Sequence, residues 1–443
     1  MPDPSASTEE MDRLFQPRSR LLAMAAFEAA LAAASAEAGV VPKAAAAVIA
    51  EVCASESFDA DEIFEAQRLA GNPAIPFVRQ LTERVARRDG DAAAWVHVGA
   101  TSQDVIDTAT MLLARDALAI LSRDLQRLRD GLALLAAREA ETPMIGRTLL
   151  QQAIPISLGV KLAGWLAGLD RAATGLAALP SSALALQFGG PVGTLAAFGE
   201  DGPAVAEKLA AHLGLPCPAL SWHTERSRIA EIGAWLGILT GLLGKIAGDI
   251  ILAMQTEVGE LGEPAAAGKG GSSAMPHKRN PVMTTFAVAA ATRTPHLVGA
   301  LFACLAQQQE RAAGAWHAEW PLLPQLFGHA HAATLAVLDT IEGLEIDAVA
   351  MARNLEATRG LIYAERLTAA MIPPLGRSEA HRLVGAWCRE AVASGQPLAD
   401  VAESHRPRHL PGLTAEALRE VFDPADQIAA ATRAVEGMLR RRS

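Results

Sequence analysis

Aromatic residues are scarce in this chain, 4% of 443 with a single tyrosine, Tyr363. That argues against a β-rich fold, whose strands favour aromatic and β-branched side chains. Positive charge is not in excess either: 39 basic against 49 acidic side chains leave a net charge of −10. A general nucleic-acid binder needs a positive face for phosphates, so that class is excluded, and any anionic ligand must be held by a local cluster of donors. The four cysteines, Cys53, Cys217, Cys304 and Cys388, include no CxxC pair, which speaks against a disulfide framework or a zinc site and fits a reducing cytoplasm. From Met1 to Asp12 the chain is acidic and polar, without the basic start and apolar run of a secretory signal. The most apolar stretch, residues 233–254, is broken by Lys245 and Asp249. It reads as a buried core helix, and no membrane partner is expected.

What the chain has instead is alanine, leucine and valine, within a hydrophobic content of 51%. The intervals 77–142, 219–263 and 325–372 hold no proline and read as long helix. Over 110–141 the residues Leu113, Ala117, Leu121, Leu125, Leu128, Leu132 and Leu135 recur at three- and four-residue spacing, opposite Arg123, Asp124, Arg127 and Asp130. This predicts an amphipathic helix of about 30 residues. The pattern returns over 159–178, 225–259 and 326–344. The helices from Val160 and Ile229 onward are apolar over more than one face, which predicts burial on all sides, in a bundle and against other subunits. The expected fold is all-α: an N-terminal helical part over 1–109, a central long-helix bundle over 110–346 and a C-terminal helical part over 347–443. The Gly/Pro-rich segments 70–76, 187–203 and 262–281 are expected loops, and long loops inside a compact domain are usually functional or disordered.

The most informative loop is Gly268-Lys-Gly-Gly-Ser-Ser-Ala-Met-Pro-His-Lys-Arg-Asn-Pro281. Its glycines permit close approach to a ligand. The donors that follow, His277, Lys278, Arg279 and Asn280, suit a multiply charged carboxylate or phosphate ahead of a helix starting near Val282. A Walker loop fails because Lys269 is followed by Gly270 and no strand precedes it. A dinucleotide fingerprint fails on its third glycine and its missing βαβ context. On composition alone, a flexible linker with incidental charge stays open. No metal site is expected: His329 and His331 diverge on a helix, and Pro407 lies between His405 and His409.

The order Gly-Ser-Ser-Ala-Met-Pro-His-Lys-Arg-Asn-Pro resembles the Gly-Ser-Ser-x-Met-Pro-x-Lys-x-Asn-Pro signature of the fumarase/aspartase superfamily. Gly99-Ala-Thr-Ser-Gln-Asp-Val-Ile-Asp-Thr-Ala109 and Gly146-Arg-Thr-Leu-Leu-Gln-Gln-Ala153 resemble its first and second conserved blocks, in the same order. Within it, the blocks Gly71–Pro76, Trp222-His-Thr-Glu-Arg226 and Trp316-His-Ala-Glu-Trp320 are most similar to those of the bacterial cycloisomerases of carboxymuconate. The resemblance runs from about Ser19 to the C-terminus. It implies three helical domains and a homotetramer whose sites combine blocks from three subunits. It also implies a small tricarboxylate substrate with no cofactor, and lactone formation in the β-ketoadipate pathway of aromatic catabolism. Residue by residue, it implies Ser272 as the proton-transfer group. Thr101, Ser102, Gln103, Thr148, Gln151, Lys278, Asn280 and Arg311 are implied as substrate contacts.

Two departures sharpen the reading. The histidine that serves as second proton-transfer partner in fumarase and adenylosuccinate lyase is here Leu149, and Trp320 stands where adenylosuccinate lyase has an arginine for nucleotide phosphate. A lactonising enzyme attacks with the substrate's own carboxylate, ionised at neutral pH, and needs no acid on that side. His277, in the same loop, is the second candidate for the proton donor. His317 with Glu319 is open to two readings, a supporting pair or a packing motif. An adenylosuccinate- or argininosuccinate-type lyase is the alternative activity, and a non-catalytic helical protein the alternative class.

Overall fold

The structure, a computed structural model, describes residues 3–442. The periodic apolar stretches form the long helices Ser102–Arg138, Leu158–Ser182, Ser227–Ala253 and Leu322–Glu342. In Ser227–Ala253 the residues Ile232, Leu236, Leu239, Leu243, Ile246 and Ile250 are all buried, and they fall at three- and four-residue spacing. Ile238 and Leu252, on another side, are exposed at 59% and 41%. The all-round apolar helix is therefore covered within the chain over only part of its circumference.

Contacts divide the chain into two compact units, each built from separate stretches. The first runs to Gln126 and adds Arg171–Lys245 and Phe286–Ala336; its core includes Phe27, Phe77, Leu121 and Phe327. The second comprises Arg127–Asp170, Ile246–Thr285 and the chain from Val337 onward, with a cluster of Leu367, Met371, Leu383, Trp387, Leu398 and Val401 in its C-terminal part.

Three features of the structure qualify the sequence reading. Neither 77–142 nor 325–372 is one helix, and the first breaks between Arg88 and Ser102. Leu322–Glu342 stops before Gly343, where a Cβ would come within 2.6 Å of Pro264, and a new helix, Ala348–Glu356, starts where the Asp347 side chain accepts the Ala350 N–H. Second, by length and composition two helices, Pro17–Glu37 and Ser227–Ala253, reach the requirements of a membrane span. In the first, however, 61% of the apolar window is buried inside the chain, and in the second Asp249 accepts the Trp165 indole N–H at 2.9 Å.

Third, the segment around Gly146–Ala153 is a β-hairpin, Pro143–Thr148 antiparallel to Gln151–Ser157; the other sheet among the described residues is the short pair Leu261–Gly262 and Glu345–Ile346. Thr148 faces Gln151, so Leu149 and Leu150 form the turn, with φ of 49° and 63°. Tight hairpins need positive φ at both central residues and therefore favour Asn-Gly. A side chain with a Cβ costs roughly 1–2 kcal/mol there. Both leucines are exposed, Leu149 at 97%.

Candidate active site

In the first unit the site is built on the start of Ser102–Arg138. Thr101-Ser-Gln-Asp104 has capping-box spacing, and the Asp104 carboxylate accepts the Thr101 N–H at 3.0 Å. The same carboxylate accepts the N–H groups of Gly189 and Gly190 at 3.1 and 2.9 Å and lies 2.7 Å from His223 Nε2. Asp104 thus clamps the 187–203 loop against the helix start. Gly190, at φ 68°, is required there, because a Cβ would sit 2.8 Å from the Gly99 carbonyl. Burial outweighs these donors and holds the Asp104 carboxyl above its ordinary range.

Thr101 and Ser102 open onto a cleft of about 390 Å³ shared with Asn72, Arg311, Trp316 and His317. Arg311 is steered by the Pro191 carbonyl at 3.0 Å. The His317 ring has Nε2 3.1 Å from the Gly71 carbonyl, so that nitrogen carries the hydrogen and Nδ1 is the open one. His317 and Glu319 do not pair. Glu319 instead binds Arg226, through Nε at 3.1 Å and Nη2 at 2.7 Å.

Gln103 departs from its expected role. It is fully buried, and its amide donates to Asp107 at 3.0 Å and to the His223 carbonyl at 2.8 Å, because one residue further along a helix faces away from the cleft. Its amide supports Asp107, while its Oε1 is buried with no hydrogen-bond partner among the described residues. Asp107 in turn accepts Arg226 at 2.7 and 3.1 Å and the Trp316 indole N–H at 2.9 Å. Arg226, also stacked on the Trp222 ring at 4.8 Å, joins two buried carboxylates, and their charges push its pKa up despite burial. This network fixes the Trp316 wall of the cleft. Sequence reasoning singled out the Trp222–Arg226 and Trp316–Trp320 blocks without finding what they do together.

In the second unit, the hairpin is tied down by Arg147, which grips Glu260 at 2.8 and 2.7 Å, and by Gln152 bonded to the Asn354 carbonyl. Thr148 and Gln151 flank its tip, both exposed. The signature loop is closed at its neck, where the Asn280 N–H donates to the Gly270 carbonyl at 2.7 Å. Gly270 has φ 72°, and a Cβ there would lie 2.7 Å from the Asn280 carbonyl oxygen, so only glycine fits. Glu263 caps the helix that follows, accepting the Met283 and Thr284 N–H groups, while Arg279 binds both Glu345 oxygens at 2.9 Å. Within the loop Ser272 is half-buried, and its Oγ lies 3.4 and 3.1 Å from the main-chain nitrogens of Ala274 and Met275. His277 and Lys278 are exposed and Asn280 is half-buried. The anticipated contacts therefore form two groups, Thr101, Ser102 and Arg311 in one unit and Thr148, Gln151, Ser272, His277, Lys278 and Asn280 in the other. Elsewhere, Glu10, Asp124 and His331 converge with metal-compatible spacing, but the Arg123 guanidinium already binds both carboxylates.

Residues 6–294 match the family model described as lyase, and residues 360–438 match that of the adenylosuccinate lyase C-terminus. The 3-carboxy-cis,cis-muconate cycloisomerase of Bradyrhizobium diazoefficiens is 48% identical over 95% of this chain and 93% of its own length. The chain belongs to the 3-carboxy-cis,cis-muconate cycloisomerase family of lyases. The Pseudomonas aeruginosa enzyme of the same name is 47% identical over 97% of this chain and 93% of its own. The crystal structure of the Pseudomonas putida 3-carboxy-cis,cis-muconate lactonizing enzyme superposes with a TM-score of 0.92 at 42% identity, covering 98% of this chain and 97% of that one. The loop around Ser272, the Thr101–Ser102 helix start and the hairpin tip are where the three blocks of the sequence resemblance lie in the structure.

Proposed function

We propose that the chain converts 3-carboxy-cis,cis-muconate to 4-carboxymuconolactone, as a cytoplasmic homotetramer acting on a small tricarboxylate without metal or cofactor. The stretch 110–346 forms its centre, between the N-terminal and C-terminal helical parts. Support for assembly comes from the uncovered Ile238, Leu252 and Leu149 side chains, since apolar surface of this kind favours association. One substrate carboxylate attacks a double bond, and the π pair moves to the carbon beside another carboxylate as an enolate-like dianion. Contributed by different subunits of the tetramer, Lys278, Asn280, Thr148, Gln151, Thr101, Ser102 and Arg311 supply hydrogen-bond donors and positive charge for its oxygens. Ser272 gives its Oγ proton to that carbon in the lactone-forming direction and takes one back in reverse. The alkoxide left behind is stabilised by the Ala274 and Met275 amides aimed at Oγ and regains a proton from solvent when the loop opens. His277 is the second candidate donor.

The observation that carries this reading is the hairpin tip. Where an ammonia, water or amine lyase needs an acid, this chain presents Leu149, an apolar side chain at positive φ. A carboxylate nucleophile needs no such acid. Ultraviolet loss of carboxymuconate without fumarate release from adenylosuccinate is the expected result; the opposite pattern rejects the assignment. The tip yields a second prediction. Leu149→Asn with Leu150→Gly should raise the thermal midpoint, by relieving roughly 1–2 kcal/mol per residue, yet lower turnover, because strained backbone persists where function uses it. Unchanged turnover in that variant removes the tip from the site.

A further inference from the structure

The first unit holds a second cavity, about 140 Å³, lined largely by apolar side chains such as Phe15, Met24, Phe64, Ile106 and Leu113. One of its walls carries Arg20. Three other ionised groups border it, Asp107, Arg226 and Glu319, and these satisfy one another. Arg20 is half-buried, its guanidinium has no hydrogen bond or ion pair among the described residues, and burial lowers its pKa with no counter-charge opposing it. A guanidinium taken from water without a partner is unfavourable, and guanidinium is the group best matched to a carboxylate. The remaining walls define the rest of the ligand, since an apolar cavity of about 150 Å³ takes up benzene.

We propose that this cavity binds a small aromatic or unsaturated monocarboxylate, its carboxylate on Arg20 and its body among Phe15, Met24, Phe64 and Leu113, apart from the cleft of Thr101, Ser102 and Arg311. The cavity and the cleft share a wall, since Asp107 borders the one and accepts the indole N–H of Trp316, which lines the other. An occupant therefore lies two side chains, Asp107 and Trp316, from the cleft.

Sodium benzoate is the probe, titrated calorimetrically into the full-length protein with benzamide as the uncharged comparator. Saturable benzoate binding is expected, with benzamide about tenfold weaker or more. Arg20→Met should weaken benzoate about 10- to 100-fold, the equivalent of one charge-assisted hydrogen-bonded pair, and leave benzamide unchanged. Arg311→Met should leave benzoate binding intact. Ile106→Phe, which fills the cavity without touching Arg20's charge, should abolish binding of both probes and remains informative if Arg20→Met does not fold. Absence of saturable benzoate binding, wild-type affinity in Arg20→Met or Ile106→Phe, or loss in Arg311→Met overturns the proposal.

Discussion

Turnover falls about 10²–10⁴-fold when Ser272 is replaced by alanine, the range expected for loss of a positioned proton-transfer group, while melting temperature and secondary structure stay as in the wild type. The structure separates the two effects. Among the described residues, Ser272 Oγ accepts hydrogen bonds only from main-chain nitrogens inside its own loop, and the residues beside it are exposed. Water therefore replaces what the hydroxyl gave the Ala274 and Met275 amides. The neck of the loop rests on Gly270, Asn280, Arg279 and Glu345, none of which involves Ser272. Steady-state kinetics with carboxymuconate check the prediction, and near-normal turnover in Ser272→Ala would transfer the role to His277.

The largest stability effect belongs to Arg226. Replacing it with methionine strands Asp107 and Glu319, both buried, without their shared cation. Breaking a buried pair by removing one partner costs about 3–5 kcal/mol. Burial already holds the Glu319 carboxyl above the usual glutamate range. A carboxyl raised in the folded state binds protons more readily folded than unfolded, so its contribution is favourable at low pH and is lost as pH rises through the folded pKa. Without Arg226 that rise grows. The deficit of Arg226→Met should therefore be smallest near the ordinary glutamate pKa and widen toward neutral pH, measured as denaturation midpoint against pH. Adding Asp107→Asn and Glu319→Gln should recover much of the loss, since neutral partners need no counter-ion. A pH-independent deficit contradicts this account.

Much of this was legible in the residues. Leucines at three- and four-residue spacing foretold Ser102–Arg138 and Leu322–Glu342 to within a turn or two, because local periodicity is what builds an amphipathic helix. The 268–281 loop announced itself through glycines followed by donors. The hairpin did not, because its turn is Leu-Leu instead of the Asn-Gly that advertises such turns. The Arg226 network was invisible for a different reason. Its partners lie 119 and 93 residues away along the chain, and no local pattern encodes a pairing across that separation. Gln103 shows what a motif read as a string leaves out: one position past Ser102, the helix turns its side chain away from the cleft of Thr101 and Ser102 and toward Asp107.

The closed neck of the signature loop has a thermodynamic consequence. Because Gly270 and Asn280 are already joined, the entropy of bringing the loop's ends together is spent during folding and not at each catalytic cycle. Only the nine residues between them need to settle around a substrate, so an encounter with a highly charged acid is spared the loop-closure part of the ordering cost.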